Sequence, residues 1–235
     1  MEACNILIQL KDIEFSYETR KPVLSGLNLT LKVGEKIGLL GPNGSGKTTV
    51  LSLIVGLLKP QQGSIEVFGK KRVKEKDFYE VREHIGFLFQ NPEDQLFCPT
   101  VLEDVAFGPL NLGKTRKEAE EIARKTLAIL GLSGFENRIT HHLSGGEKRL
   151  VSLATVLAMK PKILLLDEPI AGLDEETSEK ITRILEELPQ ERIIVSHEPP
   201  FLGRTTNKTL ILRNGNIKEQ ESSLDTHKLS KASSK

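Results

Sequence analysis

Three segments of this 235-residue sequence combine residue types and spacings that suit phosphate chemistry. The first, Gly41-Pro42-Asn43-Gly44-Ser45-Gly46-Lys47-Thr48, fits the pattern G-x-x-x-x-G-K-[ST]. Glycines there let backbone N–H groups turn inward around phosphate oxygens, and a following helix points its positive end at them. The lysine places an ammonium on β- and γ-phosphates, and the threonine hydroxyl is a ligand for Mg²⁺. The second segment runs from Ile163 through three leucines to Asp167 and Glu168. Ligands of open α/β sheets bind beyond the carboxyl ends of the strands. Asp167 there suits holding Mg²⁺ through water, and Glu168 suits orienting or deprotonating an attacking water. Alone, two acidic residues at a strand end read equally well as a solvated turn; the phosphate loop in the same chain favours the site. The third segment is Leu143-Ser144-Gly145-Gly146-Glu147. Ser144 and Glu147 form a capping box, but glycine in a first helical turn costs up to about 1 kcal/mol relative to alanine. The pair Gly145-Gly146 therefore predicts a close approach to the backbone, with an anion at the helix N-terminus as the candidate.

Three single residues sit where they could assist. Gln90 follows the apolar run Ile85 to Phe89, His197 follows Ile193 to Val195, and Tyr17 ends an alternating segment. An amide could reach a metal or water, and a tyrosine could stack on a base. Each also has a plainer reading: a solvated loop glutamine, a satisfied structural histidine, a core aromatic.

The elements that must position these groups follow from hydrophobic period. Ile13, Phe15 and Tyr17 alternate with polar residues, as do Leu27, Leu29, Leu31 and Val33, which predicts half-buried strands. Ile37 to Leu40 predicts a strand running into the glycine loop, and a helix is expected from there to about Leu57. Ile65 to Phe68 and Ile85 to Phe89 predict two further strands. Thr115 and Glu118 form a capping box ahead of Ala119, Ile122, Ala123, Thr126, Leu127 and Leu130 at helical spacing. After Ser144, residues Leu150, Leu153, Ala154 and Leu157 share one helical face. Ile163 to Leu166 and Ile193 to Val195 predict strands buried on both faces. Asp174 caps a helix bearing Ile181, Ile184, Leu185 and Leu188, and Leu210 to Ile217 predicts a hairpin around Asn214-Gly215. The order is a β-rich start, a helical insert over about residues 91–160, and an α/β finish, in a single domain of residues 1–220. Residues 221–235 are polar and predict a disordered tail.

Composition excludes several classes. Hydrophobic residues at 38%, with 19 glycines besides, give an ordinary globular apolar share of about 46%, which argues against disorder. A net charge of +1 provides no field to attract nucleic acid. The longest apolar stretch, Val50 to Leu58, falls well short of the roughly 20 residues that span a bilayer. The first residues lack the pattern of a secretory signal, and Cys4 and Cys98 suit neither a disulfide framework nor a zinc site. An intracellular globular protein is expected.

Tyr17, the loop Gly41 to Thr48, Gln90, Leu143 to Glu147, Leu166-Asp167-Glu168-Pro169, Gly172-Leu173-Asp174 and Ser196-His197 stand together in an order that resembles the nucleotide-binding subunit of ABC transporters over about residues 6–220. The resemblance implies an α/β fold with a P-loop NTPase core of ABC-ATPase type, an N-terminal antiparallel β subdomain and a helical insert subdomain. It implies ATP and Mg²⁺ as ligands and two such subunits, identical or not, binding two ATP head to tail. Each nucleotide would lie between one chain's Gly41–Thr48 loop and the other's Ser144, Gly145 and Gly146. By the same resemblance Thr49 contacts phosphate, Gln90 reaches Mg²⁺ and water, His197 contacts the γ-phosphate, and Asp174 couples the two sites. Thr48 and Asp167 complete the metal set, with Glu168, His197 and Gln90 as the catalytic group. The stretch Gln90 to Phe97, continuing from Thr100 to Pro109, resembles more narrowly the ATPase components of energy-coupling-factor and cobalt/nickel importers. That implies a place on the cytoplasmic face of the membrane, a transmembrane coupling protein, a substrate-capture membrane protein, and uptake of a metal ion or vitamin. The short tail tilts the expectation toward the metal-ion branch. Leu96 or Phe97, with Phe107 and Leu110 close behind, is expected to rim a groove that receives a short helix of the coupling protein; the plainer reading has these side chains packing the helical insert onto the α/β core. Ile170 and Glu198 depart from the commoner Thr or Ser and Asp without removing a catalytic group. A soluble ABC ATPase acting on ribosomes or DNA is the competing reading, disfavoured by the single cassette and the neutral charge.

Overall fold

Alternating apolar residues build the N-terminal part of the computed structural model, which describes residues 5–18 and 21–219. Cys4 and the expected tail lie outside the described residues. In chain order the elements are β1 (Ile6–Phe15), β2 (Leu24–Lys32), β3 (Lys36–Leu40), α1 (Lys47–Ile54), β4 (Gln62–Val67), β5 (Lys70–Arg72), α2 (Tyr79–His84), β6 (Ile85–Leu88), α3 (Val101–Asn111), α4 (Arg116–Ile129), α5 (Gly145–Ala158), β7 (Ile163–Asp167), α6 (Glu175–Glu187), β8 (Glu191–Val195), α7 (Pro199–Thr205), β9 (Lys208–Arg213) and β10 (Asn216–Glu219). An antiparallel sheet has the order β2-β1-β4-β5, and a second sheet the order β10-β9-β3-β8-β7-β6. In the second sheet β9, β3, β8, β7 and β6 are parallel, and β10 adds an antiparallel edge.

The parallel strands divide their side chains between two cores. Ile163, Leu165, Ile193 and Val195 face the core shared with the antiparallel sheet and α1. Leu164, Leu166 and Ile194 face the core shared with α3, α4, α5 and α6. This period-2 split explains why the strands read as unbroken apolar runs: both faces are covered. All five residues of β7 are buried. The consequence for function is positional. The two cores fix β7 from both sides, so Asp167 and Glu168 leave it at a defined place.

Several expected boundaries shift, each for a local reason. Val33 is exposed and stands beyond β2, in a turn closed by the Glu35 N–H on the Lys32 carbonyl. Tyr17 likewise lies past the end of β1, and Phe68 and Phe89 lie past β4 and β6. The helix expected to reach Leu57 stops at Ile54, where Gly56 donates to Leu53 and Leu57 to Ser52, the two bonds of a Schellman turn. The capping boxes at Thr115 and Ser144 and the Asp174 cap form as expected. Strand β5 and helix α2 carry no periodic apolar signal and were legible only once folded.

Helix α5 crosses β6 at its glycine. A Cβ on Gly86 would lie 2.4 Å from Val156 Cγ1 and 3.0 Å from Pro161 Cγ. Nothing larger than hydrogen fits there, so Gly86 sets how closely α5 approaches the sheet. Gly86→Ala is expected to destabilise the chain by about 1–3 kcal/mol through overpacking. Urea unfolding checks this; an unchanged midpoint would show that α5 is free to move off the strand.

Candidate active site

A cleft of about 950 Å³ lies where β3, β7 and β8 end, lined by residues 42–49, Gln90, Asp167, Glu168, Ala171, Gly172 and His197, with Tyr17, Lys21, Val23, Asn214 and Gly215 at its rim. This is the carboxyl edge of the parallel strands, as the sheet's chemistry requires.

The loop between β3 and α1 owes its path to glycine. Gly46 has φ of 99°, and a Cβ there would come within 2.8 Å of Val23 Cγ1. Gly46 also caps α1 without any side-chain hydrogen bond, which leaves the first N–H groups of the helix without a side-chain acceptor. Unpaired N–H groups and the helix dipole make such an end an anion site. The buried Lys47 ammonium donates to the loop's own carbonyls, Gly41 at 2.8 Å and Pro42 at 3.1 Å, and lies 3.4 Å from His197 Nε2. Burial holds its pKa below the ordinary lysine value, against the pull of Glu168 and Asp167. Thr49 is buried, its hydroxyl 3.1 Å from the Tyr17 hydroxyl, and Tyr17 packs edge-on to Phe15.

Asp167 and Glu168 face the loop from β7. Asp167 Oδ2 accepts the Thr48 hydroxyl at 2.6 Å. Asp167 Oδ1, Glu168 Oε1 and Ser45 Oγ are buried without a hydrogen-bond partner. Glu168 Oε1 does lie 3.1 Å from His197 Nε2, at ion-pair distance. Burial raises the pKa of both carboxyls, opposed for Asp167 by the Thr48 hydroxyl and for Glu168 by His197. A carboxylate with a raised pKa is a better proton acceptor. Glu168 also has φ of +48°, a left-handed backbone that a non-glycine residue adopts only under constraint. Its N–H donates to Val195, and its carbonyl accepts from Ala171 and from Arg149. The strain is held at both ends of the residue.

Orphaned carboxylate and hydroxyl oxygens suit a hard divalent cation. Among the described residues no three His, Cys, Asp or Glu side chains assemble to hold a metal by themselves. That fits Mg²⁺, which takes one or two protein oxygens and completes its shell from water and substrate phosphates. Gln90 is exposed at the cleft, where its amide is available.

The cleft thus gathers Tyr17, Pro42 to Thr49, Gln90, Asp167, Glu168 and His197. It does not gather Ser144, Gly145, Gly146 or Asp174. Ser144 and Gly145 are exposed elsewhere, with open space around Gly145, while a Cβ on Gly146 would lie 3.2 Å from Thr177 Oγ1 of its own chain. The close approach expected of the glycine pair is therefore partly internal: Gly146 makes room for the residue that Asp174 caps. Asn214 and Gly215 reach the rim although their dipeptide signals only a hairpin turn. Arg149, buried in α5, reaches the backbone of both Gln90 and Glu168, and no motif marks it.

Comparison with known proteins agrees with this geometry. The family model described as ABC transporter matches residues 24–171. A putative ABC transporter ATP-binding protein of Brucella suis biovar 1 (strain 1330) is 52% identical, over 90% of this chain and 87% of that protein. The energy-coupling factor transporter ATP-binding protein EcfA of Methanothermobacter thermautotrophicus is 45% identical, over 90% and 69% respectively. Among solved structures, cbiO1 from Clostridium perfringens, part of the ABC transporter complex cbiONQ, superposes with a TM-score of 0.80 at 32% identity, covering 91% of this chain and 87% of that one. A dimeric ATP-binding cassette in a post-hydrolysis state, bound to ADP and Pi, gives 0.83 at 30% identity, covering 92% and 98%. On this family match and these identities, the chain, with its cleft, phosphate loop and acidic strand end, belongs to the ABC transporter family as an ATP-binding, ATP-hydrolysing subunit.

Proposed function

We propose that this chain hydrolyses ATP for an importer of the energy-coupling-factor type, working as a head-to-tail pair at the cytoplasmic face of a membrane. The reading rests chiefly on one observation: Asp167 and Glu168 leave β7 directly opposite Thr48 and Lys47. The similarity to EcfA and cbiO1 supports the importer class. The cargo would be a cobalt or nickel ion, or a vitamin, bound by a capture protein and passed through a transmembrane coupling protein.

In the cleft, the loop N–H groups and Lys47 bind the β- and γ-phosphates, and Tyr17 offers its ring to the base. Glu168 accepts a proton from water as the water oxygen bonds to the γ-phosphorus and the bond to the β,γ-bridging oxygen breaks, giving ADP and phosphate. His197 contacts the γ-phosphate and stays beside Glu168. Thr48, Gln90 and, through water, Asp167 would hold Mg²⁺. That ion when bound neutralises charge on the β- and γ-oxygens. Ser144, Gly145 and Gly146, exposed at the start of α5, would meet the nucleotide of a second chain, and Asp174 beside them would link the two sites.

The docking surface lies beyond Gln90. Leu96 is only 3% exposed and belongs to the core around α3 and α5, which corrects its expected place on the surface. Phe97 is 61% exposed and stacks edge-on with the exposed Phe107 at 4.8 Å; Leu110 stands nearby in sequence, also exposed. Phe97 is held outward because the buried Asp104 accepts its N–H and that of Cys98 at 3.0 and 2.9 Å. A rigidly presented aromatic pair suits a groove that receives a short helix of the coupling protein.

Glu168→Gln should retain ATP binding while turnover falls about 100-fold or more, because an amide cannot accept the proton. Accumulation of an ATP-bound dimer in gel filtration checks it, and near-normal hydrolysis would remove Glu168 from the catalytic role. Ser144→Arg sets a cation against the positive end of α5. It should block ATP-driven dimerisation, read by light scattering, and leave ATP binding to the monomer intact; an undiminished dimer would mean this helix end meets no nucleotide. Phe97→Asp should prevent co-purification with the membrane partner at unchanged melting temperature and ATP affinity. Leu96→Asp, by contrast, should lower the melting temperature by burying a carboxylate.

A further inference from the structure

Arg149 is the fifth residue of α5 and is 3% exposed. Burying a guanidinium costs several kcal/mol unless its donors are met. Here Nη1 donates to the Phe89 carbonyl at 2.6 Å, and Nη2 donates to the Gln90 carbonyl at 2.5 Å and the Glu168 carbonyl at 3.0 Å. One side chain therefore ties together the backbones of two segments that approach the cleft from different strands. A second tie runs alongside it. Gln95 accepts the Phe89 N–H at 3.2 Å and donates to Ser152 O at 3.0 Å and Thr155 Oγ1 at 2.7 Å, both on α5. The Phe89 residue is thus bonded to α5 through its N–H and its carbonyl.

Packing alone would be served by a methionine or leucine at position 149. The forked guanidinium does something an apolar side chain cannot: it holds the Glu168 carbonyl while that residue keeps its left-handed backbone. The same helix begins at Ser144 and Gly145, which are exposed and lie outside this chain's cleft. From Ser144 to Arg149 is about 7–8 Å along the axis, at 1.5 Å per residue in a hydrogen-bonded rod. Over so short a hydrogen-bonded span the helix start and Arg149 belong to one rod.

We propose that Arg149 is a positioning residue, through which the seating of α5 against a second chain's nucleotide sets the placement of Gln90 and Glu168 in its own chain's cleft. This rests on the two-chain reading given above. It assigns α5 two tasks at once: to complete the neighbouring site and to report that completion to its own. Lysine at 149 keeps the charge but, as a single ammonium, cannot bridge the Gln90 and Glu168 carbonyls as the planar fork does.

The test uses the full chain with Arg149→Lys and Arg149→Met. For Arg149→Lys the expected result is a melting temperature and monomer ATP affinity near wild type, KM within about twofold, and kcat lowered about tenfold or more, the pattern of a group acting on the reacting arrangement. A second readout needs no turnover. In the Glu168→Gln background, ATP-driven dimerisation should slow hydrogen exchange at the amides around Gln90 and Glu168 when Arg149 is present, and fail to do so with lysine there. An unchanged kcat together with the same protection on dimerisation would overturn the proposal. Loss of folding in both variants would also overturn it, by making Arg149 a structural strut. If Glu168→Gln itself still turns over, the site reading fails; if Glu168→Gln is inactive and Arg149→Lys is normal, only the role of Arg149 falls.

Discussion

Carrying two carboxylates out of a strand buried on both faces is the constraint on which the rest of the structure depends. Asp167 and Glu168 are almost wholly removed from solvent, and a buried carboxylate either gains partners or takes up a proton. The fold supplies compensation from separate segments: the Thr48 hydroxyl and the charge of Lys47 from the start of α1, the charge of Arg149 from α5, and His197 after β8. The compensation is incomplete. Both carboxyl pKa values are raised and that of Lys47 is lowered, each by burial. Groups strained in this way are relieved by a ligand that brings a cation to the carboxylates and phosphate to the ammonium. The cleft is thus electrostatically complementary to a metal nucleotide.

Much of this was legible in the residues because phosphate chemistry concentrates its parts in contiguous runs. A glycine loop, a buried strand with an acidic end and a capping box are local patterns, and each formed where its pattern stood. Other features depend on what folding brings near and have no local pattern. Arg149 reads as one more charge on a helix. Gln95 reads as a loop amide, and Asp104 as an acidic residue in a first turn, yet Arg149 and Gln95 bond backbone of distant segments and Asp104 accepts the Phe97 and Cys98 N–H groups and the Thr140 hydroxyl. Arg192 is similar: it precedes an apolar run, but it is fully buried and donates to the carbonyls of Leu185, Leu188 and Gln190 at the end of α6. Leu96 and Phe97 show the limit most sharply. They are adjacent and both apolar, yet Leu96 packs in the core while Phe97, whose N–H is held by the Asp104 carboxylate, is exposed.

The division of the binding parts between two places on the surface follows from the same geometry. The N-terminus of α1 opens into the cleft. The N-terminus of α5 does not, and it lies beside the Asp174 cap of α6, whose Thr177 packs on Gly146. Two helix ends competent for anions, one inside the cleft and one outside it, cannot serve a single nucleotide within one chain. On the proposed head-to-tail pairing, a second copy would satisfy both. The departure at Ile170 removes no group from either helix end, since its side chain is buried in the helical core.

Lys47 illustrates how the site avoids a large reorganisation when nucleotide arrives. Its ammonium is already desolvated and already directed into the loop by the Gly41 and Pro42 carbonyls. Those carbonyls belong to the same loop whose N–H groups would face phosphate. Shifting the ammonium toward a phosphate oxygen exchanges neutral acceptors for a charged one, and charge-assisted hydrogen bonds are roughly twice as strong as neutral ones. The exchange favours binding with no rebuilding of the backbone, because Gly46 already has the left-handed conformation that the loop requires. What nucleotide cannot supply to a single chain is the second helix end. On the proposed pairing, binding would therefore be a property of the chain, and the fully assembled site a property of the pair.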